Sequence, residues 1–234
     1  MRRLAGVAEF LDGPLEDPGA LRDNLRDLRR ANRLTGGGAL SRRAIEALAP
    51  PPAAVTVLDV GTGGADIPLA LLAHARNRDQ SLAITAVDSR PEILEAARAI
   101  RPELDRVERL TLDVADGRAL PYPDASYDVA HASLVLHHLE PAEAVAFLRE
   151  LARVSRLGVV VNDLSRRRIT LIGAWLLSRA FTRNRYSRHD APLSARRAYT
   201  LREAIGLLAE AGLRPISVTH GVFGHRWAIA AVRV

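Results

Sequence analysis

The stretch VTVLDVGTGGADIPLAL, Val55 to Leu71, decides how the rest of the chain is read. Val55, Val57 and Leu58 form a short apolar run that ends in Asp59. Gly61, Gly63 and Gly64 follow, and from Ile67 the apolar residues take helical spacing. A buried strand feeding a glycine turn and then a helix has a physical rationale. Glycine reverses the chain without a Cβ penalty and lets backbone approach a ligand closely, and the helix aims its free N–H groups at the same place. Two ligand classes use this arrangement. A dinucleotide fingerprint, Gly-x-Gly-x-x-Gly counted from Gly61, would end at Asp66, where a carboxylate repels a pyrophosphate. An acid at the strand end followed by closely spaced glycines suits a ligand with an ammonium and no phosphate. The pattern therefore disfavours an NAD-dependent reductase.

Outward from this stretch, strands and helices alternate. Ser81 to Asp88, SLAITAVD, reads as a second strand closed by an acid, and Asp88 is also placed to cap the helix that opens at Pro91. Val107 to Val114 reads as a third strand and is followed by DGRALPYPDASYD, Asp116 to Asp128. The fourth strand is Tyr127 to Leu136, leading into His137, His138 and Leu139. Neighbouring residues at a strand end point opposite ways, so at most one of the two histidines is expected to face a pocket. A helix over Ala142 to Val154 and a fifth strand over Leu157 to Val161 come next.

The Asp59, Gly61, Gly63 pattern resembles motif I of the class I S-adenosylmethionine (SAM) methyltransferases, with Ala65 where the family has its third glycine. DGRALPYPDASYD resembles a segment found in many of their small-molecule members, and SLVLHHL resembles the Leu-x-His turn after their fourth strand. With LRDLRRANRL, VVVNDL and HDAPLSARRAYT, nearly the whole chain is similar to a bacterial group of small methyltransferases often found beside polyketide or quinone pathway genes. The resemblance implies an α/β fold, a Rossmann-like doubly wound sheet of seven strands, mostly parallel with the last antiparallel. It implies an N-terminal helical cap over residues 1–50 and a methyltransferase domain over 51–234, with a lid insertion at about 165–199. SAM is the implied cofactor. Asp59, Gly61, Thr62 and Gly63 would meet its methionine end, Asp88 and Ser89 the ribose, and Asp116 and Gly117 the adenine, with Asp113 as a weaker competitor. Ser133 would line the sulfonium pocket.

Methyl transfer from a sulfonium needs alignment of nucleophile and methyl, and a base only where the acceptor must lose a proton. Histidine has the suitable unperturbed pKa. The candidates are His138, His137 and His189, the last beside Asp190 on the lid; His220 and His225 are expected to be peripheral. No histidine–carboxylate spacing resembles a metal site, so no metal is expected. The lid reads as an apolar helix, Ile169 to Phe181, and a polar loop, Thr182 to Tyr199. A helix from Thr200 to Ala211 carries a capping box with Glu203, and Pro215 to Val222 and Trp227 to Val234 read as two last strands. In the N-terminal region Leu21, Leu25, Leu28 and Leu34 fall on one helical face.

Composition narrows the chemistry further. Cysteine is absent, which excludes disulfides and thiol nucleophiles, and lysine is absent, which excludes Schiff-base chemistry. The net charge is +6, but acids and arginines are interspersed, as on a solvated surface. An RNA methyltransferase is the alternative that the arginines suggest; the Asn/Asp-Pro-Pro-aromatic motif that grips a base amine is missing from it. A SAM-binding regulatory protein without catalysis is a second alternative. The expected acceptor is a small, fairly apolar molecule methylated at a phenol, enol or carboxyl oxygen. No nucleic acid, no signal segment and no membrane span are expected, only peripheral membrane contact, for a cytoplasmic monomer or homodimer.

Overall fold

A computed structural model describes residues 1–78 and 80–234. Seven strands make one sheet: β1 Val55–Val60, β2 Leu82–Asp88, β3 Leu110–Val114, β4 Tyr127–Ser133, β5 Ser155–Leu164, β6 Leu213–His220 and β7 Arg226–Arg233. Their order is β3-β2-β1-β4-β5-β7-β6. The pairs from β3 through β5 are parallel, and β7 runs antiparallel to both β5 and β6. The chain thus has the Rossmann-like, doubly wound α/β fold. Strands β1 and β4 are adjacent where the winding reverses, the place where open α/β sheets bind ligands.

Eight α-helices flank the sheet among the described residues: α1 Pro18–Thr35, α2 Gly37–Leu48, α3 Asp66–Arg76, α4 Pro91–Ile100, α5 Pro141–Val154, α6 Arg168–Phe181, α7 Arg185–Arg197 and α8 Leu201–Glu210. One face of the sheet packs on α5 and α8 through Phe147, Leu148, Leu151, Leu207 and Leu208. The other packs on α2 and α3 through Leu40, Ala44, Ile45, Ile67 and Leu71. Both faces are covered, which is why β1 reads as an almost unbroken apolar run. Burying one such leucine contributes about 1.5–3 kcal/mol.

Residue 50 does not divide cap from core. Helix α2 sits inside the second core cluster, whereas α1 lies over the strand ends and packs Leu21 and Leu25 against Ile93 and Ala96 of α4. Gly36, left-handed at φ 74°, separates the two helices. Leu34, expected on the buried face of α1, is exposed, because the last turn of α1 overhangs the cleft.

Three local expectations are corrected. Thr182 to Tyr199 is largely the helix α7, capped by the Asn184 side chain, which accepts from Tyr186 N and Ser187 N. Its buried positions are mostly polar, with Asp190, Ser194 and Arg197 beside Tyr186 and Leu193, so no apolar period marked it. β4 stops at Ser133; Leu134 takes φ 59°, and Leu136–His138 forms a 3-10 turn. β3 starts only at Leu110, after Arg109 at φ 64°. The Thr200–Glu203 capping box is present at the start of α8. No helix among the described residues is long and apolar enough to cross a membrane.

Candidate active site

The bend after β1 is built by conformations that side chains resist. Gly61 has φ 75°, and a Cβ there would collide with Val135 Cγ2. Ala65, in the place of the family's third glycine, also sits left-handed, at φ 53°, as the N-cap residue of α3. The Gly61 and Thr62 amides both donate to Val87 O of β2 at 2.9 Å, which ties the bend to the neighbouring strand.

Asp88 closes β2 and locks onto the same bend. Its Oδ2 accepts from Gly63 N at 3.0 Å and its Oδ1 from Arg90 N at 3.2 Å. Burial raises its pKa above the usual aspartate range, against these two hydrogen bonds. The capping residue of α4 is Arg90. Asp116 lies beyond β3 with its carboxylate paired to Arg118 at 2.9 Å, which holds its pKa down. Gly117 leaves no room for a Cβ, which would lie 2.7 Å from both Phe147 Cε2 and Val60 Cγ1. The competitor Asp113 accepts from the Tyr122 hydroxyl at 3.1 Å, away from the cleft.

A single cavity of about 1140 Å³ opens over these strand ends. Gly61, Thr62, Gly63, Asp88, Ser89, Asp116, Gly117 and Ser133 all line it. Asp59, expected at the methionine end, does not line it. Its side chain is buried and accepts from His131 Nδ1 at 2.5 Å, while His131 Nε2 takes the Ser41 hydroxyl at 2.8 Å. The buried polar chain continues from Ser41 to Asn162 Nδ2 at 2.8 Å.

Asn162 leads to Arg226, which the sequence reading passed over. This guanidinium is buried and donates to Asn162 Oδ1, Asn32 Oδ1 and Ser133 Oγ at 2.6–2.7 Å. Burial pulls its pKa down to about 10. Asn32 in turn donates to Asp66 Oδ2 at 3.0 Å. Residues from α1, α2, β4, β5 and β7 are therefore stitched together beneath the cavity.

The opposite end holds the histidines, and it corrects the expectation that at most one faces a pocket. Both line the cavity, because the 3-10 turn brings their rings within 4.2 Å instead of splaying them as a strand would. His137 Nδ1 donates to Asp163 Oδ1 and His138 Nδ1 to Asp12 Oδ1, each at 2.7 Å. Glu9, from the N-terminal segment, sets one carboxylate oxygen near each Nε2, and burial lifts its pKa to about 7. Nothing in the sequence marks Glu9; its neighbours Leu4, Phe10 and Leu11 are anchored by backbone N–H bonds to Arg196 O and to the Asp190 carboxylate of α7.

His189, the third candidate base, lies outside the cavity lining. Its ring stacks on Phe10 at 4.1 Å, and its Nδ1 pairs with Asp190. His225, expected to be peripheral, does line it. The roof is α6, which contributes Ile169, Gly173, Ala174, Leu177 and Phe181.

The cavity fits an adenosine-bearing sulfonium. The glycine bend lines it with backbone at Gly61, Gly63 and Gly64, the buried Thr62 hydroxyl has no protein partner, and carboxylates end or follow β2 and β3. Asp66 at the start of α3 adds a carboxylate where a pyrophosphate would otherwise lie.

Comparison with known proteins agrees. Residues 57–158 match the family model for a methyltransferase domain. Over 72 residues the chain is 39% identical to the ubiquinone/menaquinone biosynthesis C-methyltransferase of Rickettsia akari, which is 31% of this chain and 29% of that protein. The chain thus spans less than a third of the curated relatives it matches. A SAM-dependent methyltransferase from Aquifex aeolicus superposes with a TM-score of 0.64 at 20% identity, over 93% of this chain and 99% of the other. Human N-acetylserotonin methyltransferase, solved with SAM, gives 0.68 at 16% identity, over 95% and 61%. The mitomycin 7-O-methyltransferase gives 0.66 at 24%, over 97% and 61%. The fold is that of the class I SAM-dependent methyltransferases, whose cofactor is SAM. Residues 57–158 match the methyltransferase-domain model, and 72 residues of the chain are similar to part of the quinone C-methyltransferases.

Proposed function

We propose that this chain transfers the methyl group of SAM to an oxygen of a small, largely apolar acceptor, a phenol, enol or carboxylic acid. One observation carries the reading: a single cavity joins the glycine bend, Asp88 and Asp116 to a histidine pair beneath an apolar helix. Asp88 and Ser89 would hold the ribose, Asp116 and Gly117 the adenine, and Gly61, Thr62 and Gly63 the methionine end. The cofactor brings an activated methyl and leaves as a neutral thioether. The chain's own residues therefore align the acceptor and take its proton. His137 and His138 are the catalytic groups we assign, oriented through Nδ1 by Asp163 and Asp12. The N-terminal segment, α1 and the 165–199 insertion serve as the lid over the acceptor.

The partial likeness to a quinone C-methyltransferase favours a second acceptor atom, the ring carbon beside a phenol, which needs the same deprotonation. The test is incubation of the chain with SAM and a panel of phenols, hydroquinones, enols and carboxylic acids, with mass spectrometry of the products. A methyl added with loss of the acidic hydroxyl supports O-transfer, and one added with that hydroxyl retained supports C-transfer. SAM binding with no product from any acceptor on the panel would overturn the catalytic reading in favour of a SAM-binding protein without catalysis.

A further inference from the structure

Three lone-pair donors converge at the acceptor end with nothing positive between them. Glu9 Oε1 lies 3.8 Å from His137 Nε2, and Glu9 Oε2 lies 3.9 Å from His138 Nε2. Both separations exceed hydrogen-bond range. The two Nδ1 atoms are already committed to Asp163 and Asp12, which fixes each ring with Nδ1–H donating and leaves each Nε2 as a bare acceptor. Glu9 is 3% exposed, and its Oε1 is buried without a hydrogen-bond partner. Acceptors left facing one another repel unless a proton or a metal cation sits among them.

Arg197 is the nearest candidate for that role and does not fill it. Its Nη1 stands 3.6 Å from Glu9 Oε1 but donates at 2.5 Å to Asp12 Oδ2, and its Nη2 donates to His138 O at 2.7 Å. The guanidinium braces Asp12 from outside the triangle.

We propose that Glu9, His137 and His138 form a binding site for a divalent transition metal of the zinc type, open toward the acceptor end of the cavity. One atom from each residue lies within 4.8 Å of the others. Zinc ligands sit at about 2.0–2.2 Å from the metal, which puts tetrahedral ligands ~3.4 Å apart, so each glutamate–histidine pair needs to draw in by roughly half an ångström. Two imidazoles and one carboxylate suit zinc or iron(II), whereas magnesium and calcium prefer all-oxygen sets. The carboxylates behind both rings are the supporting partners that metal-bound histidines usually have. Three protein ligands leave a fourth position for the acceptor oxygen, whose O–H proton the metal would release to solvent as the metal–oxygen bond forms. This inference rests on the methyltransferase reading and refines it: with both Nε2 atoms on the metal, the histidines hold the ion that activates the acceptor, and neither takes the proton itself. The sequence hid the site because Glu9 is far from the histidines along the chain.

The test is calorimetric titration of the full chain, stripped with a chelator, with Zn²⁺, and with Co²⁺ as a visible-spectrum probe. One metal per chain is expected, with the intense visible bands of low-coordinate Co²⁺. Glu9→Gln and His138→Ala are expected to weaken binding at least 100-fold, and Asp12→Asn about 10- to 100-fold. His138 is partly exposed, so its variant remains informative even if Glu9→Gln fails to fold; SAM affinity serves as the folding control. No stoichiometric binding, or binding that survives in His138→Ala, would overturn the site. Methyl transfer at an undiminished rate by the stripped chain would also remove it and leave the methyltransferase reading standing. Failure to bind SAM would remove that reading instead.

Discussion

Asp88 Oδ2 accepts the amide of Gly63 at 3.0 Å, so the acid that ends β2 and the glycine bend that follows β1 form one rigid unit. The carboxylate is positioned before any ligand arrives and retains lone pairs for two neighbouring hydroxyls. Replacing it with alanine removes charge-assisted hydrogen bonds worth about 1.5–3 kcal/mol. Asp88→Ala is therefore expected to weaken SAM binding about 10- to 150-fold in a calorimetric titration. An affinity within twofold of the parent would remove Asp88 from the ribose site.

The same residue sets a pH dependence. Burial raises the pKa of Asp88, with Asp59 adding to the shift and Arg90 opposing it. The ionised form accepts from hydroxyls and the protonated form does so less well, so SAM affinity is expected to be full above the raised pKa and to fall as pH drops through it. The fall begins at higher pH than for an ordinary aspartate of pKa about 3.9. Titrations at stepped pH should show this loss in the parent and a flatter profile in Asp88→Asn. A parent profile that is flat down to the ordinary aspartate range would contradict the assignment.

At Gly61, a methyl group has no room beside Val135, and the backbone is at φ 75°. Gly61→Ala is expected to lower stability by about 1–3 kcal/mol and to weaken SAM binding. Gly64→Ala is the control, since its Cβ meets Leu25 Cβ at an ordinary 3.7 Å. Urea unfolding and SAM titration of both variants check the contrast; equal effects would show that the bend is not the constrained element.

His131 and Asp59 hold the strand ends together from inside. His131 is fully buried, and removing it leaves the Asp59 carboxylate without that partner. His131→Ala is expected to cost about 3–5 kcal/mol in urea unfolding, as breaking a buried pair does. Asp59→Asn keeps an oxygen acceptor and is expected to change SAM affinity less than Asp88→Asn. The reverse order would show that Asp59 meets the cofactor after all.

On the roof, Gly173 of α6 faces open space. Gly173→Phe should fill the acceptor end, raising the acceptor KM severalfold while leaving the SAM Kd within twofold. A weakened SAM Kd would place the cofactor beneath α6 instead.

Most of the sheet was legible in sequence because fully buried parallel strands are apolar without interruption and their acids fall at strand ends. The bend and Asp88 were legible for the same reason: glycines and a terminal carboxylate occupy fixed places after such strands. Other features depend on contacts remote in sequence. The Asp59 carboxylate ends its strand as a ligand-facing acid does, yet it faces His131 across a strand pair, and no local pattern encodes that choice. Glu9 reaches the histidines only because α7 anchors the N-terminal segment, and α7 itself was hidden by its polar buried face and Pro192. Arg226 lies in an apolar strand, and its acceptors come from helix and strand ends far along the chain.

The most direct measurement is a calorimetric titration of the full chain with SAM and, separately, with NADH. Saturable binding of one SAM per chain with no heat from NADH is the expected result. Binding of NADH by a chain that ignores SAM would contradict the account at its base.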